Sequence, residues 1–248
     1  MRDLHTHTIY SDGVGTPEEM VLSAIQKGLS EIGISDHCYT SFDESYCLQK
    51  DKIEAYKAEI AALKQKYKDK ILVRCGIEQD IFSDESMDGY EYVIGSVHYL
   101  NVKGEPRLLD ISVDGYVDIC KEGFGGDYYA LAEKYFETVA TIADMDKISI
   151  VGHLDLVTKF NEKYHFFDEE HPRFLAAAKK TIDKLLAAGK TFEINTGAIS
   201  RGYRTVPYPA PRLLSYIREK GGKTIFSSDA HAPETIAYAF DKFEYLVK

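Results

Sequence analysis

The sequence has no tryptophan, only four cysteines and fewer basic than acidic residues. Its cysteines show no C-x-x-C spacing, which argues against a zinc-thiolate site; they are Cys38, Cys47, Cys75 and Cys120. With no signal peptide at the N-terminus, we expect reduced thiols and a cytoplasmic location. The formal net charge of -10 argues against a surface that neutralises nucleic-acid phosphates. Because no apolar run reaches the roughly 18 residues of a spanning helix, no membrane partner is expected either.

The length and composition suit a single large domain. One α/β barrel fills about this length, and 44% of the 248 residues are hydrophobic, which is enough for a large core. The 18 tyrosines and 12 phenylalanines supply the aromatic volume that tryptophan does not. We therefore predict one domain over residues 1–248.

Strand and helix patterns alternate along the chain. A capping-box pattern at Thr16-Pro17-Glu18-Glu19 opens a helix that Gly28 ends. Further amphipathic helices are predicted over 53–67, 131–142, 172–189 and 211–220, and segment 101–126 is predicted to be irregular and glycine-rich. Buried strands are predicted around 1–5 and over 31–35, 71–77, 92–97, 148–152, 191–194 and 224–228. The alternation predicts parallel strands joined by right-handed crossovers, in a barrel or an open sheet.

Metal-ligand residue types lie at the C-terminal ends of six of these strands. They are His5 with His7, then His37, Glu78, His98, His153, and Asp229 with His231. The remaining histidines, His165 and His171, lie in a polar loop. In a closed barrel the C-terminal strand ends meet at one mouth, whereas an open sheet would space them along an edge. The pattern therefore favours a barrel with its site at that mouth.

The first of these motifs places two imidazoles and a carboxylate within a few residues. His5 and His7 are two apart, so an extended backbone points both to one side, and Thr8 to Gly13 can loop Asp12 back toward them. Imidazole and carboxylate ligands suit zinc, manganese or iron. Taken singly, an H-x-H can be a chance surface pair, a buried histidine a core residue and Asp229 a helix cap. Together, the set predicts a metal cluster.

Six motifs, in order and spacing, resemble those of the PHP (polymerase and histidinol phosphatase) family, most closely its stand-alone histidinol-phosphatase branch. They are His5-x-His7 with Asp12-Gly13, Ser35-Asp36-His37, Gly76-Ile77-Glu78, Gly95-Ser96-Val97-His98, Gly152-His153-Leu154-Asp155 and Ser228-Asp229-Ala230-His231. This resemblance covers residues 1–231. It implies a distorted (β/α)7 barrel that holds three divalent metal ions, zinc, manganese or iron.

The resemblance also implies which residues hold each ion. The first would be bound by His5, His7, Glu78 and Asp229, the second by Glu78, His98 and His153, and the third by Asp12, His37 and His231. Some family members have histidine at the position of Asp12, so the third site can differ in affinity. Of the nine ligands, Glu78, Asp229 and His231 are predicted to be catalytic.

Paired cations make hydroxide available near neutral pH, and a third can bind phosphoryl oxygens. Attack by a metal-bridging hydroxide would therefore hydrolyse a phosphate monoester. The sequence contains neither a C-x5-R loop nor a G-x4-G-K-S/T loop, so covalent cysteinyl and P-loop chemistry have no support. The resemblance implies a small-molecule substrate, L-histidinol phosphate, converted to L-histidinol and phosphate in histidine biosynthesis.

Substrate contacts are expected from loops at the same mouth. Arg201 follows a strand and could bind phosphate as a fork, or lie on a solvated turn, and Lys159 is a weaker second candidate. Asp155 could orient His153 or cap the next segment. The aromatic and acidic segment 160–170 could cover the mouth or lie on the surface.

Two alternative functions remain open at this stage. A phosphoesterase of the same barrel could act on a nucleotide, an oligonucleotide or a phosphotyrosine protein. A small closed mouth with an anionic patch for an amine would favour histidinol phosphate, whereas an open basic groove would favour polynucleotide. A non-catalytic metal-binding module is the other alternative, although all nine ligand positions hold ligand residue types. The sequence does not indicate an oligomeric state.

Overall fold

A computed structural model of the protein describes residues 1–246. In this part of the chain the strands are β1 (Arg2–Asp3), β2 (Glu31–Ile34), β3 (Leu72–Asp80), β4 (Tyr92–Ser96), β5 (Tyr99–Val102), β6 (Glu105–Leu108), β7 (Ile150–Val151), β8 (Thr191–Asn195) and β9 (Lys223–Ser227). The α-helices are α1 (Pro17–Gln26), α2 (Ile53–Lys66), α3 (Val113–Phe124), α4 (Tyr128–Val139), α5 (Asn161–Tyr164), α6 (Pro172–Ala187), α7 (Gly197–Ser200), α8 (Pro211–Glu219) and α9 (Phe240–Phe243).

Seven parallel strands form one sheet in the order β1-β2-β3-β4-β7-β8-β9. Its two edges meet through a parallel bridge between Thr6 and Ala230, where the backbone N–H of His7 donates to the carbonyl of Ala230 at 2.8 Å. The sheet is therefore a nearly closed barrel flanked by helices, which confirms the predicted (β/α)7 architecture. The strand predicted over 148–152 is observed as the shorter β7. The backbone N–H groups on either side of it, at Ser149 and Gly152, still donate to carbonyls of the neighbouring strand β4, at Val93 and Gly95.

Helix α1 begins and ends where its capping residues predict, whereas the helix predicted over 131–142 begins earlier, as α4, because Asp127 caps it. Thr16 and Glu19 form the capping box of α1, with the Glu19 N–H donating to Thr16 Oγ1 at 3.2 Å and the Thr16 N–H donating to Glu19 Oε2 at 2.8 Å. Gly28 follows α1 with φ of +73°, a conformation that favours glycine. Within residues 1–246, no helix has both the length and the apolarity needed to cross a bilayer.

The segment predicted to be irregular, 101–126, is ordered, and that prediction was wrong. It contains most of the antiparallel hairpin of β5 and β6, whose turn residues Lys103 and Gly104 both have positive φ. Helix α3 follows, with the Ser112 hydroxyl accepting from the Gly115 N–H at 3.1 Å. Its glycines weaken the helical signal, but α3 buries a stripe of apolar side chains that the sequence analysis did not weigh.

A tyrosine fills the barrel interior among the strands. The hydroxyl of Tyr92 donates to the backbone carbonyl of Leu4 at 2.6 Å, and its ring packs against Leu4, Ile94, Ile150 and Ile225. Gly33 and Gly76 make room for this ring, since a Cβ would lie 2.0 Å from Tyr92 Oη at the first and 2.2 Å from its Cζ at the second. These two glycines are required by close packing rather than by backbone conformation.

Candidate metal centre

The structure brings all nine predicted metal ligands to the C-terminal mouth of the barrel. They are His5 and His7 after β1, Asp12 on the loop beyond them, His37 after β2, Glu78 on β3, His98 after β4, His153 after β7, and Asp229 and His231 after β9. All but Asp12 and His231 are buried. Six strands of the sheet and the segments that follow them are thus needed to build one cluster.

Glu78 lies at the centre of this cluster. Its Oε2 is 3.2 Å from His5 Nε2, 3.6 Å from His7 Nε2 and 2.8 Å from His37 Nδ1, and its Oε1 is 3.0 Å from His153 Nε2 and 3.5 Å from His98 Nε2. Ligand atoms of a tetrahedral zinc ion, each about 2.1 Å from the metal, lie about 3.4 Å apart. The spacing around Glu78 therefore suits a bridging carboxylate.

Three sets of these side chains present ligand atoms within 4.8 Å of one another. The sets are His5, His7 and Asp229; His37, Glu78 and His98; and His7, Asp12, His37 and His231. His7 and His37 each belong to two sets, so the three sets form one continuous cluster. His153 joins it through its 3.0 Å contact with Glu78.

Several of the clustered atoms have no hydrogen-bond partner although they are buried. Within residues 1–246 these include His5 Nε2, both ring nitrogens of His7, and Glu78 Oε2. Burying such groups without a partner costs free energy, which coordination of a cation offsets. The donor set of imidazoles and carboxylates therefore fits divalent metal ions.

The cluster also controls the charge of its own ligands. Burial, followed by the nearby imidazoles of His231 and His37, lowers the pKa of His7 to about 3, so this imidazole is neutral and able to coordinate. Burial by itself raises the pKa of Glu78, but the imidazoles around it outweigh burial and hold the pKa well below its usual range. For His7 and Glu78 this is the protonation state that binds a metal, whereas neighbouring carboxylates outweigh burial and raise the pKa of His5, His37 and His98, which lose a proton on coordination.

Two buried carboxylates that the sequence analysis did not single out hold ligand histidines in place. Oε1 of Glu193 lies 2.7 Å from His5 Nδ1, while its Oε2 accepts from the His153 N–H at 3.0 Å. Asp80 Oδ2 lies 3.2 Å from His98 Nδ1 and accepts the His98 N–H at 2.9 Å. A signal was present, because Asp80 is two residues from Glu78 on β3 and Glu193 interrupts the apolar pattern of β8.

Two other buried carboxylates hold the backbone of the mouth. Asp36 accepts the Thr8 N–H at 2.7 Å and the Thr8 hydroxyl at 2.8 Å, which fixes the loop that carries Asp12. Asp3 accepts the N–H groups of Ser228 at 3.0 Å and of Ala237 at 2.9 Å. Asp3 thereby joins the first strand to the segment that carries the last ligands.

A cavity of about 270 Å³ opens onto the cluster. Six of the ligand side chains line it, together with Tyr46, Leu108, Asp110, Ile111, Lys159 and Tyr203. Arg201 lines the cavity as well, with its Nη2 3.0 Å from Asp229 Oδ2 and its Nη1 donating to the Asp229 carbonyl at 3.1 Å. The Lys159 ammonium also lines the cavity, but it is bound to Asp110 at 3.0 Å.

The two remaining open questions of the sequence analysis have structural answers. The Asp155 side chain makes no capping hydrogen bond to the turn that follows it and none to His153. Its Oδ2 instead accepts from the N–H of Ala210, the residue that precedes α8, at 2.9 Å. Segment 160–170 contains α5 and packs Phe160 and Phe167 into the core. None of its residues is among the described residues that line the cavity, so this segment is part of the surface beside the mouth.

Comparisons with known proteins agree with this geometry. The sequence model of the PHP domain matches residues 3–197. A Deinococcus radiodurans protein named a probable histidinol-phosphatase is 30% identical over 251 residues, covering 96% of this chain and 89% of that protein. The histidinol-phosphatase of Bacillus subtilis is 26% identical over 265 residues, covering 98% of this chain and 97% of that protein.

A solved structure shows the same fold. Histidinol phosphate phosphatase from Lactococcus lactis, complexed with Zn, L-histidinol and phosphate, superposes with a TM-score of 0.73 at 22% identity. The superposition covers 99% of this chain and 92% of that chain. Because the PHP-domain match covers well over half of the chain and includes seven of the nine ligands, from His5 to His153, the chain belongs to the PHP family.

Proposed function

We propose that the protein is a histidinol-phosphatase, which hydrolyses L-histidinol phosphate to L-histidinol and phosphate. The observation that carries the proposal is the cluster of nine ligand side chains at the base of a small cavity. Its relatives along nearly the whole chain carry the same enzyme name, which supports the choice of substrate.

We further propose that the cluster holds three divalent ions of zinc, manganese or iron. His5, His7, Glu78 and Asp229 would hold the first, Glu78, His98 and His153 the second, and Asp12, His37 and His231 the third. When bound, such ions supply Lewis-acid polarisation of the phosphoryl group and an activated water. The continuity of the ligand sets through His7 and His37 supports a shared, multinuclear site.

The chain's own residues have separate tasks around this centre. The Arg201 guanidinium lines the cavity with a third of its side chain exposed, so its remaining N–H groups are available to phosphate oxygens. Glu193 and Asp80 fix the orientation of His5 and His98. Asp229 and Glu78 stay ionised, because Arg201 and the imidazoles around them outweigh burial and hold the pKa of each well below its usual range.

The size of the cavity supports a small substrate. A volume of about 270 Å³ is near the lower end of small-molecule sites, which run from roughly 300 Å³ upward. A phosphotyrosine protein or an oligonucleotide would need an open groove. The excess of acidic residues, which gives a formal net charge of -10, also disfavours a polynucleotide.

Phosphate release from a panel of monoesters tests the proposal. Metal-reconstituted protein is incubated with L-histidinol phosphate, a nucleoside monophosphate, a phosphotyrosine peptide and a phosphorylated oligonucleotide. We expect kcat/KM for L-histidinol phosphate to exceed the others at least tenfold, roughly the discrimination that one charged contact provides. Equal or faster hydrolysis of any other monoester would overturn the proposed substrate.

A further inference from the structure

One acidic side chain that lines the cavity lies outside the ligand set. The carboxylates that line the cavity are Asp12, Asp110 and Asp229, and two of these belong to the cluster. Asp110 is the exception, on the loop between β6 and α3. A substrate whose phosphate lies at the cluster can therefore meet one carboxylate that is not a metal ligand.

Asp110 is held in a fixed orientation by Lys159. Its Oδ2 lies 3.0 Å from Lys159 Nζ, which also donates to the Asp110 backbone carbonyl at 2.7 Å. The Lys159 ammonium lies 4.8 Å from the centre of the Tyr203 ring, a cation–π contact that helps to hold the pair. Oδ1 of Asp110 accepts no hydrogen bond from any other residue in 1–246.

The charge of Asp110 is secured by its surroundings. Burial raises the pKa of this carboxyl, but the ammonium of Lys159 and the imidazole of His98 outweigh burial and lower it. Asp110 is thus ionised at neutral pH, with one oxygen occupied and one free.

Arg201, the other basic side chain that lines the cavity, does not pair with Asp110. Arg201 is bound to Asp229 and contacts His231, at the cluster end. Arg201 is thus committed to the ligand cluster, whereas Asp110 is paired with Lys159 through one oxygen only. A phosphate monoester that also carries an ammonium group complements both the cluster and this carboxylate.

We propose that Asp110 is the specificity-determining residue of the site, whose Oδ1 accepts a hydrogen bond from the ammonium group of an amino-alcohol phosphate. Lys159 acts as a positioning residue, which holds the carboxylate toward the cavity. This inference rests on the proposed function and adds to it the group that recognises the amine.

Two substrates that differ only in the amine test the inference. L-Histidinol phosphate is compared with its deamino analogue, 3-(imidazol-4-yl)propyl phosphate, on wild-type protein and on Asp110→Asn, which keeps the shape but removes the charge. We expect Asp110→Asn to raise KM for L-histidinol phosphate roughly 10- to 100-fold and to leave kcat within about twofold, as for loss of one charged hydrogen bond. KM for the deamino analogue should stay the same or fall, because Lys159 is released.

Asp118→Asn on the exposed surface of α3 is the matched control and should change neither KM. A substrate preference that survives in Asp110→Asn, or an equal loss for both substrates, overturns the inference. If wild-type protein hydrolyses neither ester, the proposed function fails, and calorimetry with L-histidinol alone decides the inference separately. Binding to wild type that Asp110→Asn abolishes would still support it, whereas no binding to wild type would overturn it.

Discussion

Glu193 and His5 lie 188 positions apart, yet Glu193 Oε1 is 2.7 Å from His5 Nδ1. The same carboxylate accepts the N–H of His153 through its other oxygen and an amide hydrogen of Asn195 at 3.1 Å. One buried side chain on β8 thus holds groups from the segments that follow β1 and β7. With Nδ1 engaged, His5 can present only Nε2 to the cluster.

Glu193→Gln should weaken metal binding without unfolding the protein. Glutamine keeps an acceptor for His5, but its amide hydrogens oppose the His153 N–H and the negative charge is lost. We expect metal affinity to fall about 10- to 100-fold, as for other groups that orient ligand histidines. The measurement is retained metal against chelator concentration, with the exposed Glu137→Gln as control. An unchanged chelator midpoint would show that Glu193 does not orient the ligand.

Glu78→Gln should abolish turnover and release metal. Five imidazoles surround this carboxylate at 2.8 to 3.6 Å, and an amide cannot bridge two cations or balance their charge. We expect kcat to fall at least about 100-fold. Elemental analysis should show lost metal, whereas His165→Ala, on the exposed loop after α5, should keep its full content. Wild-type turnover by Glu78→Gln would rule out the bridging role.

Arg201→Ala should act mainly on substrate binding. Its guanidinium contacts Asp229 but also lines the cavity, where it can reach phosphate. We expect KM to rise roughly 10- to 100-fold and kcat to fall less than about tenfold, with Arg201→Lys intermediate because lysine cannot bind bidentately. Steady-state kinetics separates the two effects. A loss confined to kcat would mean that Arg201 serves only to hold Asp229.

Gly33→Ala should destabilise the barrel from within. The new methyl group would lie 2.0 Å from the Tyr92 hydroxyl oxygen. Gly33 is on β2, whose hydrogen bonds to β3 hold the backbone in place. Overpacking of this kind costs about 1 to 3 kcal/mol, so we expect the unfolding free energy to fall by about 2 kcal/mol or more. Tyr92→Phe in the same chain should recover part of that loss in denaturant titrations. Strictly additive effects of the two substitutions would contradict the contact.

The parts of the fold that could be predicted from sequence are those that follow a repeated hydrophobic pattern. Buried strands and amphipathic helices each have a period, and parallel strands bring their C-terminal ends together, so His37, His98 and His153 could be grouped before any coordinates. Their residue type then indicated a metal. The antiparallel hairpin and α3 were missed because each occurs once, among glycines, outside the repeated strand–helix unit.

The supporting carboxylates could not be assigned in the same way. A carboxylate such as Glu193 or Asp80 can bind a cation, an imidazole or a backbone N–H, and these choices differ only in what lies across the barrel. For Asp155, neither of the two roles considered was right, because its partner, the Ala210 N–H, lies 55 positions away. Distances between strands, rather than spacing along the chain, decide such roles.

The seam of the barrel, at Thr6 and Ala230, has a consequence for how the protein matures. His5 and His7 leave the ribosome before Asp229 and His231, which are more than two hundred positions later in the sequence. The earliest and latest ligands can share an ion only once the seam has formed and Asp3 has bound Ser228. A site that needs both pairs of ligands is therefore complete only after the strand that ends at Ser227 has joined the barrel.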